Sequence, residues 1–524
     1  MIETDVLVLG GGPAGTWAAL KAAATGASVL LADKGFCGSS GATAAAGTGI
    51  WYVQPEPELR EQAMASREGL GGYLADREWM ARVLDETFDR VNELATDGRY
   101  PFPVGSDGRQ VRTGIQGPDY MKRQRLRVQR AGVRVFDHAP AVELLVDPCG
   151  GVAGARLQRL ADGTQLDIAA AAVVLATGGC AFLSKTLGCN VNTGDGALMA
   201  VEAGAELSGM EFSNAYAIAP EFTSVTKTAY YSFATFYLGS GEPLAGASGK
   251  ARTPIAKALL TEPVFCTLDR ADADQQHAMR RGQPNFFLTF DRLGIDPFTD
   301  RFPVTLLLEG TVRGTGGVRV TGPDCSTSVP GLYVAGDVAT RELICGGFTG
   351  GGSHNAAWAM SSGSWAGAGA GSYALRHRDS VARPRLGAGG AGLRPLDRPD
   401  AELRPADLVA AVQAEVLPYD KNYLRHGDRL RPALATLNDL WQQARSGLSA
   451  PDSSKARSAA AMTAHARWMY TAALARTESR GMARRQDFPD LDPAQHHRLL
   501  TGGLDDLWTA PEPVFRGRRP LVPA

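Results

Sequence analysis

The chain has 524 residues, 44% of them hydrophobic, with 54 basic against 55 acidic side chains, enough for two or three domains with full cores. That near-neutral balance gives nucleic acid or a charged membrane surface no electrostatic footing, and no stretch is long and apolar enough to span a bilayer. Cysteines 37, 149, 180, 189, 266, 325 and 345 form no C-x-x-C pair, so an iron–sulfur cluster, c-type haem, zinc ribbon or other metal centre is not expected, nor a structural disulfide.

The first strand is the apolar run Val6 to Leu9, so a leader peptide is not expected ahead of it. It runs into a turn carrying Gly10, Gly12, Pro13, Ala14 and Gly15, and Thr16 to Ala24 reads as the following helix. Glycines at this spacing permit a tight turn and let the backbone approach a pyrophosphate at the positive end of the helix. A second strand, Ala27 to Ala32, ends at Asp33, 18 residues beyond Gly15, where an acid can hold a ribose hydroxyl. The basic run Lys122 to Arg130 reads as the solvated face of a helix, and Leu144 to Ile168 as a small β-meander. Ala172 to Gly179 is a third strand ending in a glycine turn.

Residues 213–312 carry no nucleotide signal but are rich in aromatics, among them Tyr216, Phe222, Tyr230, Tyr231, Phe233, Phe236 and Tyr237, which read mostly as the core of an inserted cap. Gly331 to Asp337 is another strand, glycine turn and acid. The small-residue segment Ala356 to Ala374, nearest of all to a membrane span, reads instead as a tightly packed helix after that acid. Arg383 to Pro405 is dense in Pro, Gly and Arg and reads as a linker. From Pro405 the pattern turns helical, with Leu408, Val412, Val416, Leu430, Leu434, Leu437 and Trp441 at helical spacing. Pro511 to Ala524 reads as an irregular tail.

Three strand-and-glycine-turn elements over this length resemble the two-dinucleotide-binding-domain flavoproteins, which implies FAD as cofactor ahead of NAD. Further motifs resemble the fumarate reductase and succinate dehydrogenase flavoprotein superfamily, which includes L-aspartate oxidase and the adenylylsulfate reductase alpha subunit. These are Asn192 to Leu207 with Met210-Glu211-Phe212, Glu478 to Gly481 with Arg484 and Asp487-Phe-Pro489, and Gly310 to Pro323 with Gly331 to Val338. The last is closest in pattern to the adenylylsulfate reductase branch. The resemblance implies an α/β fold: a Rossmann-like FAD-binding domain (1–212 and 313–385), an inserted α+β capping domain (213–312), a linker (386–404), and a C-terminal helical region with its tail (405–524). FAD contacts are then expected from Gly10, Gly12, Pro13, Ala14, Gly15, Asp33, Lys34, Ser40, Gly41, Ala42, Thr43, Ala176, Thr177, Gly178, Asp195, Gly336, Asp337 and Ser353.

Four departures from the family pattern bear on substrate. Ser39 to Thr43 contains no histidine where succinate dehydrogenases bond one covalently to the flavin, so FAD is expected to be noncovalent. Ser213 to Pro220 replaces the family's His-Pro-Thr-Gly run, Val312 stands at its next histidine, and Gly346 to Gly352 lacks its substrate-clamping arginine. Succinate and fumarate are therefore not the expected substrates, and adenylylsulfate is disfavoured. Ala251 to Ala258 resembles the segment with the family's proton-transferring arginine, which gives Arg252 that role and Lys257 a second basic position. Arg313 and His354 are further candidates, each in a glycine-rich turn expected near the flavin.

The resulting expectation is a cytoplasmic FAD-dependent dehydrogenase or oxidase acting on a small organic molecule. The alternatives are a reductase fed by a ferredoxin-like electron carrier and an FAD-binding protein without catalysis. No second dinucleotide unit for NAD(P)H is visible. Neither nucleic acid nor membrane is an expected partner, and a homodimer follows by analogy with the superfamily alone.

Overall fold

The computed structural model describes residues 2–105, 107–226, 229–349, 352–378, 384–396, 403–448, 450 and 452–513. Val6, Leu7 and Val8 are wholly buried, because the strand Ile2–Leu9 is parallel to Val29–Ala32 on one side and to Gln165–Leu175 on the other. Parallel strands covered on both faces read as continuous apolar runs. Gln165–Leu175 organises the sheet: its opposite edge pairs first with Val152–Gln158, antiparallel, then with Leu332–Val334, parallel. The expected meander therefore extends the central sheet, through Ala141–Val146 and Val152–Gln158. Arg134–Phe136 closes the other side.

The first helix, Pro13–Ala24, starts earlier than its apolar pattern suggests, because Pro13 supplies a helix-compatible φ in the first turn. It lies against the long helix Gly352–Arg376. A Cβ on Gly363 would stand 2.4 Å from the Ala14 carbonyl oxygen, and one on Gly367 would stand 2.2 Å from that of Ala18. Glycines four apart share one helix face, so the small residues of this segment serve helix contact. No helix among the described residues is long and apolar enough to cross a membrane.

The basic run lies on the helix Gly117–Arg130, and only part of its surface is solvated. Gln124 and Val128 are buried, Arg125 pairs with Asp137, Arg127 pairs with Glu93, and Arg127 also covers the Trp17 ring.

The cap is an antiparallel sheet in the order Ala215–Pro220, Phe302–Glu309, Val264–Thr267, Thr235–Leu238. Its helices Ala273–Gly282 and Pro284–Leu293 bring Phe286, Phe287 and Phe290 against Tyr230, Tyr231, Phe222 and Phe302. Most of the cap aromatics thus form its own core. Tyr216 instead turns to the C-terminal region, its hydroxyl donating to the Val416 carbonyl at 2.9 Å.

Two features depart from the sequence reading. Leu386–Gly387, inside the stretch read as a linker, adds a short strand against Leu145 and Val146; residues 397–402 of that stretch lie outside the described residues. The C-terminal region is also not purely helical. After the helices Pro405–Val416, Gly427–Gly447 and Ser453–Ala475 come the strands His497–Gly502 and Trp508–Pro513, a hairpin whose first strand pairs with Leu207–Ser208. Pro511 is tolerated there because the strand is at the sheet edge. Residues 514–524 of the expected tail lie outside the described residues.

Candidate functional site

The strand Ile2–Leu9 delivers the chain to Gly10 at φ +107, where a Cβ would lie 2.3 Å from the Ala176 carbonyl oxygen. Gly15 packs beneath this turn: a Cβ on it would stand 1.8 Å from the Gly10 carbonyl oxygen. At Gly12 a Cβ would meet nothing within 4 Å. The helix starting at Pro13 has neither a side-chain cap nor an acid in its first turn, so its positive end is left for an anion. Asp33 holds the turn in shape, accepting the Gly11 N–H at 2.5 Å through Oδ2 and the Ser40 hydroxyl at 2.8 Å through Oδ1.

These groups border a cleft of about 1350 Å³, open space at its mouth included. Of the residues singled out for the cofactor, Gly10, Gly12, Pro13, Ala14, Asp33, Lys34, Ser40, Gly41, Ala42, Thr43, Ala176, Thr177, Gly178, Asp195, Gly336 and Asp337 line it, while Gly15 and Ser353 do not. The cleft fits a dinucleotide on its own chemistry. Thr177 Oγ1, Asn192 Oδ1 and Asp195 Oδ1 are buried on its lining without a hydrogen-bond partner among the described residues, and buried polar atoms of this kind are ordinarily satisfied. Lys34 Nζ is fixed at 2.7 Å from each of Asp195, Thr193 and Ser458. Burial pushes the Asp337 carboxyl up, while its ion pair with Arg341 and the charge of Arg313 draw it back.

A smaller chamber adjoins the cleft on the cap side, about 320 Å³ with the open space at its mouth included. The two share Ala42, Ala46, Val312 and Arg313 as lining. Glu309 and Gln283 reach the chamber from the cap, and nothing in the local sequence around either marks it as a site residue. Glu309 is 4% exposed and accepts the Thr226 hydroxyl at 2.8 Å, with Arg313 Nε 3.9 Å away.

The three catalytic candidates occupy different places. Arg313 stands at the junction of cleft and chamber. Arg252 lines neither; its guanidinium donates to the Tyr216 carbonyl and, at 3.1 Å, to that of Gly249. Burial lowers its pKa, opposed by Tyr423 and Glu309. Lys257 is exposed on the same short helix. His354, 1% exposed, lines neither cavity: its ring packs 4.4 Å from that of Trp51 and its Nδ1 lies 3.1 Å from the Ser353 hydroxyl.

The C-terminal motif braces the glycine loop that follows Cys345. Glu478 binds Arg476 at 2.8 Å and Arg480 at 2.6 Å, and Arg476 binds Glu211 at 2.7 Å, all buried. Gly481, at φ +56, sits so close to the Gly347 carbonyl oxygen that a Cβ would lie 2.1 Å from it. The neighbouring Met482 N–H donates to that same oxygen at 2.8 Å. The motif thereby fixes the glycine loop that follows Cys345; Gly350 and Gly351 lie outside the described residues.

Residues 5–220 match the family described as FAD binding domain, and residues 415–504 match fumarate reductase flavoprotein C-term. The chain is 27% identical to an L-aspartate oxidase of Streptomyces coelicolor, over 96% of this chain and 92% of the relative. It is 27% identical to a fumarate reductase flavoprotein subunit of Mycobacterium tuberculosis, over 94% and 93%. Its fold is that of E. coli quinol fumarate reductase, with a TM-score of 0.81 at 19% identity, covering 99% of this chain and 98% of the other. With a dinucleotide cleft at one end of the sequence and the bracing C-terminal motif at the other, the chain belongs to the fumarate reductase and succinate dehydrogenase flavoprotein superfamily and is an FAD-dependent oxidoreductase.

Proposed function

We propose that this enzyme holds FAD noncovalently in the cleft and exchanges a hydride with a small organic substrate in the adjoining chamber, and that this substrate is neither succinate nor fumarate. The observation that carries the reading is the shared wall of Ala42, Ala46, Val312 and Arg313, which supports a substrate in the chamber lying directly beside the contents of the cleft. Bound FAD supplies the acceptance or return of the hydride. The Gly10 to Ala14 turn would hold its pyrophosphate and Asp337 its ribityl end.

Arg313 is the charged group at the boundary, and the proposal gives it substrate orientation and movement of the proton that accompanies the hydride. Arg252 has a supporting role, tying the cap strand at Tyr216 to the segment around Gly249. The cap excludes water from the reacting centre.

Two features support the substrate and cofactor statements. Residues Ser39 to Thr43 offer no histidine for a covalent flavin bond. The resemblance implies loss of the family's dicarboxylate contacts, and Val312, which stands at one of them, presents an apolar side chain to the chamber. Each lost charge-assisted hydrogen bond is typically about 1.5–3 kcal/mol, so three losses weaken binding by several powers of ten.

Acid precipitation of the purified yellow enzyme tests the cofactor statement: FAD is expected in the supernatant, and flavin retained in the pellet overturns it. Succinate added without oxygen is expected to leave the oxidised flavin band unchanged; bleaching overturns the substrate statement. A protein electron carrier is the second reading of the other redox party, supported by a relative that is named a flavoprotein subunit. Reduction of the flavin by reduced ferredoxin tests it.

A further inference from the structure

We infer that the chamber takes a small substrate carrying one carboxylate and one neutral carboxamide-like group, and that Gln283 reads the neutral group. The inference rests on the chamber being the substrate site, as proposed above.

Gln283 is 1% exposed and lines the chamber. Its Oε1 and Nε2 are both buried without a hydrogen-bond partner among the described residues. Leaving a buried donor or acceptor without a partner forfeits its hydration with nothing in return, a large penalty for a side chain whose only role was to fill the cap core. A ligand that satisfies both atoms removes it.

The backbone around Gln283 is pinned across the seam between the two domains. The Gly282 carbonyl accepts the Gln116 Nε2–H at 2.9 Å, and Asn285 Nδ2 donates to the Ala45 carbonyl at 3.0 Å. Ala46, next along that loop, lines both cavities. The fold thus holds the backbone that carries this carboxamide into the chamber from both sides.

A carboxamide offers one acceptor oxygen and two donor hydrogens. Another amide satisfies both atoms at once, whereas a carboxylate has acceptors only and leaves Gln283 Oε1 facing a like partial charge. The charges around it point the same way. Glu309 is buried on the chamber wall, accepting from the neutral Thr226, with Arg313 Nε 3.9 Å away and the charge of Arg252 also acting on it, so its negative charge already draws both cations. A second carboxylate on the substrate meets repulsion there, while Arg313 accommodates the first. The substrate class is therefore a monoanion in which a neutral donor–acceptor group stands where succinate carries its second carboxylate.

Calorimetric titration of the FAD-loaded enzyme with succinamate, succinate and succinamide tests this. Succinamate is expected to bind at least about tenfold more tightly than either of the others, since one satisfied buried hydrogen bond or ion pair is of that order. Gln283→Leu is expected to remove the advantage of succinamate over succinate, with FAD content and melting temperature close to wild type. Succinate binding as tightly as succinamate, absence of succinamate binding at millimolar concentration, or full succinamate affinity in Gln283→Leu would each overturn the inference. Should the variant lose FAD, the wild-type order of the three ligands still decides. Failure of the underlying function reading looks different: flavin in the acid pellet or bleached by succinate, whatever the order of affinities.

Discussion

Gly15 never borders the cleft, yet a methyl group on its Cα would stand 1.8 Å from the Gly10 carbonyl oxygen. Gly15→Ala therefore deforms the turn from below, and the purified variant is expected to carry well under half the FAD of the wild type, read from flavin-to-protein absorbance. Full occupancy would contradict that role. Arg313 and Arg252 are separable in the same way. Arg313→Ala is expected to slow flavin reduction by a wild-type substrate about 10²–10⁴-fold, the usual range for a lost proton-transfer group. Arg252→Ala, which removes two cap hydrogen bonds, is expected to act mainly on the melting temperature. Stopped-flow absorbance and thermal melts on both variants check the division; equal rate losses contradict it.

Glu342 gives a pH signature at the same scale. Burial beside Glu211 pushes its carboxyl up to about 8 from an ordinary 4.5, so between those values the folded protein keeps a proton that the unfolded chain has released. Stability from this group is lost as pH rises through that window and is level above it. Glu342→Gln keeps a neutral side chain throughout. Its melting temperature is expected to match wild type near pH 4.5 and to exceed it at pH 8; parallel curves for the two proteins would contradict the assignment.

Among the elements, the contact between Pro13–Ala24 and Gly352–Arg376 is the most exacting. Gly363 and Gly367 let one helix backbone rest on the other, with Cβ positions 2.4 and 2.2 Å from the Ala14 and Ala18 carbonyl oxygens, and Gly371 leaves room for the Thr25 hydroxyl. Gly367→Ala is expected to cost about 1–3 kcal/mol through overpacking, visible as a lower melting temperature and weakened FAD retention. An unchanged melt would mean that the helices can part freely. This helix was legible in the sequence because a run of small residues has few other uses once a membrane span is set aside. The terminal hairpin was not, since beyond its local pairing its first strand also needs Leu207–Ser208, far upstream, and Pro511 suppresses the strand pattern. The Glu478–Arg480 motif was legible as a signature, but its buried pairing with Arg476 and Glu211 depends on tertiary packing.

Across the whole molecule, what could be read from sequence and what could not divide along one physical line. The FAD cleft depends on glycines at fixed spacing and on an acid at the end of a strand, so the local chain carries its signal. Even there, Asp33 turned out to spend two of its hydrogen bonds on Gly11 and Ser40, which no spacing rule encodes. The chamber proposed for the substrate depends on single side chains brought together from the cap and the seam, and Gln283 and Glu309 stand in no motif. The central claim joins the two halves: a flavoenzyme scaffold of the fumarate reductase superfamily whose chamber no longer suits a dicarboxylate. The most direct measurement is to photoreduce the FAD-loaded enzyme without oxygen, mix it with fumarate and follow the flavin absorbance. The flavin is expected to stay bleached over minutes. Return of the oxidised spectrum on mixing, with succinate as product, would contradict the claim.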